Sequence, residues 1–225
     1  MKKKFSIAII PARKNSVRIK NKNIRVFNKY PIIYHSIKAA LNSKCFDHVF
    51  VSTDSKKIAK LASSYGAKVP FLRSKKLSGN KTSTKEVLQD FIKKIKNVHN
   101  FNYVCCLYPA SPFIKIKNLK KAFQLVKRKK GLIFPVCTFG SNIERSITIG
   151  KNGKLSYDLK SFKKRSQDFK DRYYDSGQFY FGRTQDFFKK QLINNKTRAI
   201  ILKKYETIDI NELSDWNFAQ KLLKI

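Results

Sequence analysis

Short apolar runs recur along this chain, at residues 7–10, 48–52, 103–107, 133–136, 178–181 and 199–202, and between most of them apolar side chains return every three or four positions. The runs have the length of strands, and their Val, Ile and Phe content suits strands buried on both faces. The stripes between them have the period of amphipathic helices. Strand and helix in alternation predict an α/β fold, a mostly parallel sheet covered by helices on both faces. Pro31 opens one helix, with Ile33, Ile37, Ala40 and Leu41 on a single face. Asp54 is read as the N-cap of a second, through Ile58, Leu61 and Ala62, closed by Gly66. Ser83 and Glu86 have capping-box spacing ahead of Val87, Leu88, Phe91, Ile92 and Ile95. Ile116, Leu119, Phe123 and Val126 mark a further helix, residues 214–223 a closing one, and residues 69–72 a short extended piece.

The rhythm breaks near Thr138. Residues 143–149 and 154–158 flank Asn152-Gly153, a hairpin signal, so an antiparallel excursion interrupts the alternation before the sheet resumes at 178–181. No repeat, low-complexity tract or interdomain linker is visible, and residues 1–225 are read as one domain.

Composition narrows the function. No apolar run approaches the ~20 residues of a membrane span, and residues 2–4 lead into a strand rather than into the apolar stretch of a signal peptide. The expectation is a cytoplasmic protein with no membrane partner. Cys45, Cys105, Cys106 and Cys137 lack Cys-x-x-Cys spacing, and His35, His48 and His99 lack metal-ligand spacing. Buried thiols in a reducing compartment are expected, with the adjacent Cys105 and Cys106 pointing to opposite faces of a strand. The formal charge of +36 comes from 50 Lys and Arg against 14 Asp and Glu. The excess is spread along the chain beside abundant Asn, Ile and Phe, the mixture an AT-rich coding sequence produces. No nucleic-acid-binding module or basic aromatic array accompanies it, so anionic small substrates rather than nucleic acid are the expected partners.

The chemistry concentrates where the first strand ends. Pro11 cannot donate to a sheet ladder, and behind it a loop carries Arg13, Lys14, Arg18, Lys20, Lys22 and Arg25, with Ser16, Asn21 and Asn23 between them. Ligands of open α/β sheets bind just beyond the strand ends, and cations with backbone N–H groups suit a polyphosphate. Pro11, Ala12, Arg13, Ser16, Ile19, Lys22 and Asn23 resemble the first motif of the CMP-sugar synthetases, cytidylyltransferases for acidic nine-carbon and related sugars: Pro-Ala-Arg-Gly-Gly-Ser-Lys-x-Ile-x-x-Lys-Asn. Lys14, Asn15 and Val17 depart from it, removing two glycines and one lysine.

Further matches follow in family order. Val51-Ser-Thr-Asp54 occurs in the family, and is read here as a strand end with a helix cap. Pro70-Phe-Leu-Arg73 with Thr82 and Thr84 resembles the segment that holds the cytidine. Tyr108-Pro-Ala-Ser-Pro112 is similar to Gln-Pro-Thr-Ser-Pro, with Tyr108 in place of a substrate-contacting glutamine. Arg165-Ser-Gln-Asp168 and Tyr173-Tyr-Asp-Ser-Gly-Gln-Phe-Tyr180 look like the version found in the pseudaminate branch. The family's metal-binding Asp-x-Asp appears as Asp209-Ile-Asn211, with Asp215 and Glu212 nearby.

The resemblance implies a nucleotide-diphospho-sugar-transferase-like three-layer α/β/α sandwich with a small antiparallel dimerisation insertion at 139–174, working as a homodimer. It implies transfer of a cytidylyl group from CTP to pseudaminic acid. Arg13, Lys22 and Arg165 would be catalytic. Ser16, Arg18, Asn23, Arg73, Thr82, Thr84, Tyr108 and Gln178 would bind substrate, and Asp209 with Asn211 would hold Mg²⁺, a hard cation that takes carboxylates and phosphate oxygens. The rivals are the same reaction on legionaminic or N-acetylneuraminic acid, a nucleic-acid-binding protein, and an inactive homologue.

Overall fold

The computed structural model describes residues 5–96 and 101–223; residues 2–4 and His99, noted above, lie outside them. β1 (Ser6–Pro11) is followed by a small ribbon, β2 (Val26–Phe27) with β3 (Tyr30–Pro31), and then by α1 (Ile32–Ser43), β4 (His48–Ser52) and α2 (Lys56–Ser64). Next come α3 (Thr84–Lys96), β5 (Tyr103–Leu107), α4 (Ile116–Arg128) and β6 (Ile133–Thr138). An excursion carries β7 (Ile147–Ile149), β8 (Leu155–Tyr157) and α5 (Leu159–Lys163). The chain then returns through β9 (Tyr173–Asp175), β10 (Phe179–Arg183), β11 (Arg198–Leu202) and α6 (Leu213–Leu222).

The main sheet has seven strands in the order β11-β6-β10-β5-β1-β4, with β9 also paired to β6. β1 runs parallel to β4 and β5, and β11 parallel to β6, whereas β10 is antiparallel to both β5 and β6. The sheet is thus mostly parallel, with β9 and β10 reversed. These two strands form one antiparallel path, broken at residues 176–178 just beyond Leu107 at the end of β5.

Two apolar clusters sandwich the sheet. Ala8, Ile10, Val49, Val51 and Cys105 pack with Ile33, Ile37, Ile58 and Leu119 of α1, α2 and α4 on one face. Ile7, Ile9, Val104 and Cys106 pack with Leu88, Phe91, Ile92 and Ile95 of α3 on the other. The adjacent cysteines do face opposite ways, and all four are buried free thiols. Full burial of a Val, Leu, Ile or Phe side chain is worth about 1.5–3 kcal/mol, enough for the α3 stripe to override the modest helix propensity of Val, Ile and Phe. The capping box forms as expected: Ser83 N–H donates to Glu86 Oε2 at 2.8 Å and Glu86 N–H to Ser83 Oγ at 3.2 Å. A third cluster of Ile19, Phe27, Ile32, Ile210 and Trp216 anchors the first loop against α6.

Three local expectations need correction. Ser55, not Asp54, caps α2, its Oγ accepting from Ile58 N–H at 3.3 Å. Residues 143–145 form a 3₁₀ turn, so the first hairpin strand begins only at Ile147. Tyr173 and Tyr174, placed in the insertion, pair with Thr138 and Cys137 of the main sheet. The last two differences share a cause: strand extent follows from which partner edge is free, which local pattern does not carry. Gly66 closes α2 as expected, with φ +97 where a side chain would be strained.

Candidate active site

A cleft of about 390 Å³ opens beyond the carboxyl ends of β1 and β5. The first loop contributes the polar lining residues Arg13, Ser16, Arg18, Lys22 and Asn23, together with Val17 and Ile19. Arg73 and Thr82 line it from the segment ahead of α3, Thr84 from the first position of α3, and Tyr108 from just past the end of β5. Asp209 and Asn211 close it from a segment more than 180 residues beyond the first loop in sequence.

Neighbours hold the loop in place. Ala12 N–H donates to Ser52 O at 2.9 Å, extending the β1–β4 pairing by one bond. Asn23 is buried and its Nδ2 donates to Arg13 O at 2.9 Å. Lys14 N–H donates to Asp54 Oδ1 at 2.7 Å, so the residue read as a helix cap instead pins the basic loop. In this region positive φ first appears at Asn21, φ 56. Lys14 and Asn15, which replace the motif's glycines, therefore sit in backbone conformations open to any residue.

Arg73 is 7% exposed, and its guanidinium lies 4.0 Å from Asp54. Burial lowers its pKa, Asp54 opposes that shift, and Arg13 reinforces it. Arg73 Nε is buried without a hydrogen-bond partner. Arg13 reaches across to Asn80 Oδ1 at 3.0 Å and Gly79 O at 3.4 Å. Two guanidiniums held in one cleft, one of them with an open donor, form a site for an anion or a polar ring. Lys22 donates its ammonium to Ile210 O. Burial depresses its pKa, partly offset by Asp209. Its chain position suits both a phosphate and the loop that bears Asp209.

On the far side, Asn211 Nδ2 donates to Asp209 Oδ2 at 2.7 Å. Asp215 accepts from the N–H groups of Asn211 at 2.8 Å and Glu212 at 2.9 Å, which makes it a helix-entry residue of α6. No cluster of three or more His, Cys, Asp or Glu able to hold a metal occurs among the described residues. What remains, one free carboxylate oxygen and an amide carbonyl, fits a hard divalent cation that arrives on a nucleotide's phosphates and needs one or two carboxylates from the protein.

Tyr108 lines the cleft beside Tyr180, ring centroids 6.0 Å apart. Burial, chiefly, pushes its pKa up to about 12. It is a neutral hydroxyl at physiological pH, as an unperturbed tyrosine would also be. Tyr180 donates to Asp175, and burial with that bond raises its pKa as well.

Two of the expected residues are not brought to the cleft. Gln178 is 3% exposed and spends its Nε2 on Glu206 O at 2.6 Å. Arg165 lies on the excursion, with its side chain 76% exposed and paired to Asp168 at 3.5 Å. In their place the cleft gains Asn80, Ser111 and Gly177. Gly177 has φ +63, and its place between Ser176 and the aromatic run 179–181 is a signal visible in the sequence; nothing local marks Asn80.

Comparison with known proteins agrees with this geometry. The sequence model of a family described as cytidylyltransferase matches residues 7–214. Over 224 residues the chain is 35% identical to a pseudaminic acid cytidylyltransferase of Campylobacter jejuni, covering 98% of this chain and 97% of that protein. It is 32% identical to a CMP-N,N′-diacetyllegionaminic acid synthase of Legionella pneumophila, covering 97% and 96%. Among solved structures, CMP:2-keto-3-deoxy-manno-octonic acid synthetase complexed with CTP superposes with a TM-score of 0.72 at 15% identity over 98% of both chains, a likeness of fold. With a basic loop at the mouth of β1, a carboxylate facing it and a family match spanning nearly the whole sequence, this chain belongs to the cytidylyltransferase family.

Proposed function

We propose that the chain transfers the cytidylyl group of CTP to the anomeric hydroxyl of pseudaminic acid, giving CMP-pseudaminic acid and pyrophosphate. The observation that carries this reading is the convergence of Arg13, Arg18, Lys22 and Arg73 with Asp209 in one cleft. The branch is supported by the Campylobacter relative's identity along the full chain and by the 173–180 segment. The sugar hydroxyl attacks the α-phosphorus in line, and pyrophosphate leaves. Such a reaction needs positioning and charge stabilisation more than covalent help. Arg13 and Lys22 face the triphosphate and stabilise the leaving group. Arg73 and Asn23, with the Thr82 and Thr84 hydroxyls, hold the cytidine. Tyr108 offers the acceptor sugar a neutral hydroxyl where the family motif has glutamine. Asp209, with the Asn211 carbonyl, would hold Mg²⁺, which when bound would supply neutralising charge to the phosphates.

The excursion is proposed as a dimer contact. Ile147, Ile149, Leu155, Tyr157 and Leu159 are all exposed on β7, β8 and the start of α5, and Ile149 is 71% exposed. Contiguous exposed apolar side chains of this kind mark an interaction surface. A second copy is the occupant that also accounts for Arg165: in a homodimer it serves the neighbouring cleft. No described helix is long and apolar enough to cross a membrane, and the cytoplasm, where CTP is made and thiols stay reduced, is the proposed compartment.

The test is pyrophosphate release with CTP and Mg²⁺ against pseudaminic, legionaminic and N-acetylneuraminic acids in parallel. The highest kcat/KM is expected with pseudaminic acid. A preference for another of the three transfers the proposal to that sugar, and no release with any of them ends it.

A further inference from the structure

Residues 207–211, which carry Asp209 and Asn211 into the cleft, have no regular secondary structure. Their position therefore depends on bonds to neighbouring elements. Lys22 grips one end through Ile210 O. The other end is fastened to the break between β9 and β10. Gln178 Nε2 donates to Glu206 O at 2.6 Å, and Thr207 Oγ1 donates to Ser176 O at 3.2 Å. Ser176, Gln178, Glu206 and Thr207 are all buried, at 3–5% exposure.

The break is itself held from several directions. Gly177 N–H donates to Asp175 Oδ1 at 2.9 Å, and Ser111 Oγ donates to Gly177 O at 3.2 Å. Tyr108 N–H donates to Gln178 O at 2.9 Å. The wall formed by Tyr108, Ser111 and Gly177 and the segment bearing Asp209 are thus stitched into one piece by buried polar groups. Gln178 Oε1, meanwhile, is buried with no hydrogen-bond partner. An orphaned acceptor carries a standing desolvation penalty that an apolar residue of similar size would avoid. Packing alone does not account for an amide at this position; the bond to Glu206 does.

We propose that Gln178 and Thr207 are positioning residues for the Asp209 carboxylate, locking its segment onto the Gly177 turn so that the metal-holding side and the sugar-facing wall of the cleft keep one fixed geometry. This rests on the reading of Asp209 as the holder of the nucleotide's divalent cation. Both bonds fix the backbone two and three residues ahead of Asp209, and in low dielectric such buried hydrogen bonds are strong. Gln178 acts through the Glu206 carbonyl, without touching substrate.

The experiment measures Mn²⁺ affinity in the presence of CTP, by water-proton relaxation, for the full-length chain and for Gln178→Leu, Thr207→Val, Thr207→Ser and Asp209→Asn. Gln178→Leu and Thr207→Val are each expected to raise the Mn²⁺ dissociation constant by roughly 10-fold, with Thr207→Ser restoring it and CTP affinity in EDTA held to about 2-fold. Folded Gln178→Leu and Thr207→Val with wild-type Mn²⁺ affinity overturn the inference. Should Gln178→Leu fail to fold, Thr207→Val, which exchanges a hydroxyl for a methyl group, decides alone. If wild type and Asp209→Asn bind Mn²⁺ equally well, the metal reading itself fails, an outcome distinct from failure of the positioning role.

Discussion

Arg13 and Asp209 stand on opposite sides of the cleft, and their different surroundings set different expectations. Arg13 makes one firm contact, to Asn80 across the cleft mouth, so its charge is available to a phosphate. Removing a charged donor that tightens on a developing negative charge costs catalysis rather than folding. Arg13→Ala is expected to lower turnover with CTP at least ~100-fold while leaving the melting temperature unchanged; steady-state kinetics near wild type would remove it from the catalytic set. At position 211 the amide nitrogen, 2.7 Å from Asp209, occupies one carboxylate oxygen. A second carboxylate there repels the first, and a divalent cation relieves the repulsion. Asn211→Asp is therefore expected to lower the Mg²⁺ concentration for half-maximal activity several-fold, and an unchanged Mg²⁺ titration would place residue 211 outside the metal site. Lys14 and Asn15 carry a simpler lesson. Their substitution for glycine looks severe on paper, yet no left-handed conformation is required there, and the first loop keeps its place through Asp54 and Asn23.

Among the described elements, the hairpin of β7 and β8 exposes apolar side chains on both of its strands. Asn152 and Gly153 both adopt positive φ at its tip, 60° and 74°, as the turn signal anticipated. A two-stranded hairpin is marginal in water unless a face is covered, and Ile147, Ile149, Leu155 and Tyr157 are all exposed. If the proposed homodimer forms through this surface, Ile149→Asp is expected to convert it to a monomer in sedimentation experiments and to reduce activity with it. Arg165→Ala should leave the dimer intact and lose activity alone. A dimer that survives Ile149→Asp would rule this surface out. The reversed strand β10 teaches the opposite lesson: its sequence reads as a buried strand and is one, with Phe179 and Phe181 fully buried, but its direction depends on the chain's route through the excursion, which no local pattern encodes.

Across the whole molecule, 50 basic residues against 14 acidic ones produce a positive field that raises the encounter rate with a polyanion such as CTP. Dissolved salt screens that field over about 10 Å at 0.1 M. The value of kcat/KM for CTP is accordingly expected to fall roughly tenfold between low and high ionic strength, with kcat much less affected. A salt-independent kcat/KM would show that the charge plays no part in substrate capture, and tight salt-sensitive binding to duplex DNA without CTP turnover would favour the nucleic-acid alternative.

The sequence alone determined the order of strands and helices, the faces they bury and the basic character of the loop behind Pro11, because apolar period, proline placement and capping chemistry act over a few neighbouring residues. Arg13, Lys22, Arg73 and Tyr108 could be picked out before any coordinates for the same reason, helped by the motifs around them. Tertiary structure decided what depends on distant groups. It took Gln178 out of the cleft and gave it to Glu206, moved Asp54 from a helix cap to the Lys14 N–H, and reversed β10 between two parallel neighbours. The first two turn on where a side chain's polar atoms find partners across 28 residues or more, since a buried donor or acceptor takes whichever partner the fold brings within reach; the third turns on the route by which the excursion returns the chain to the sheet.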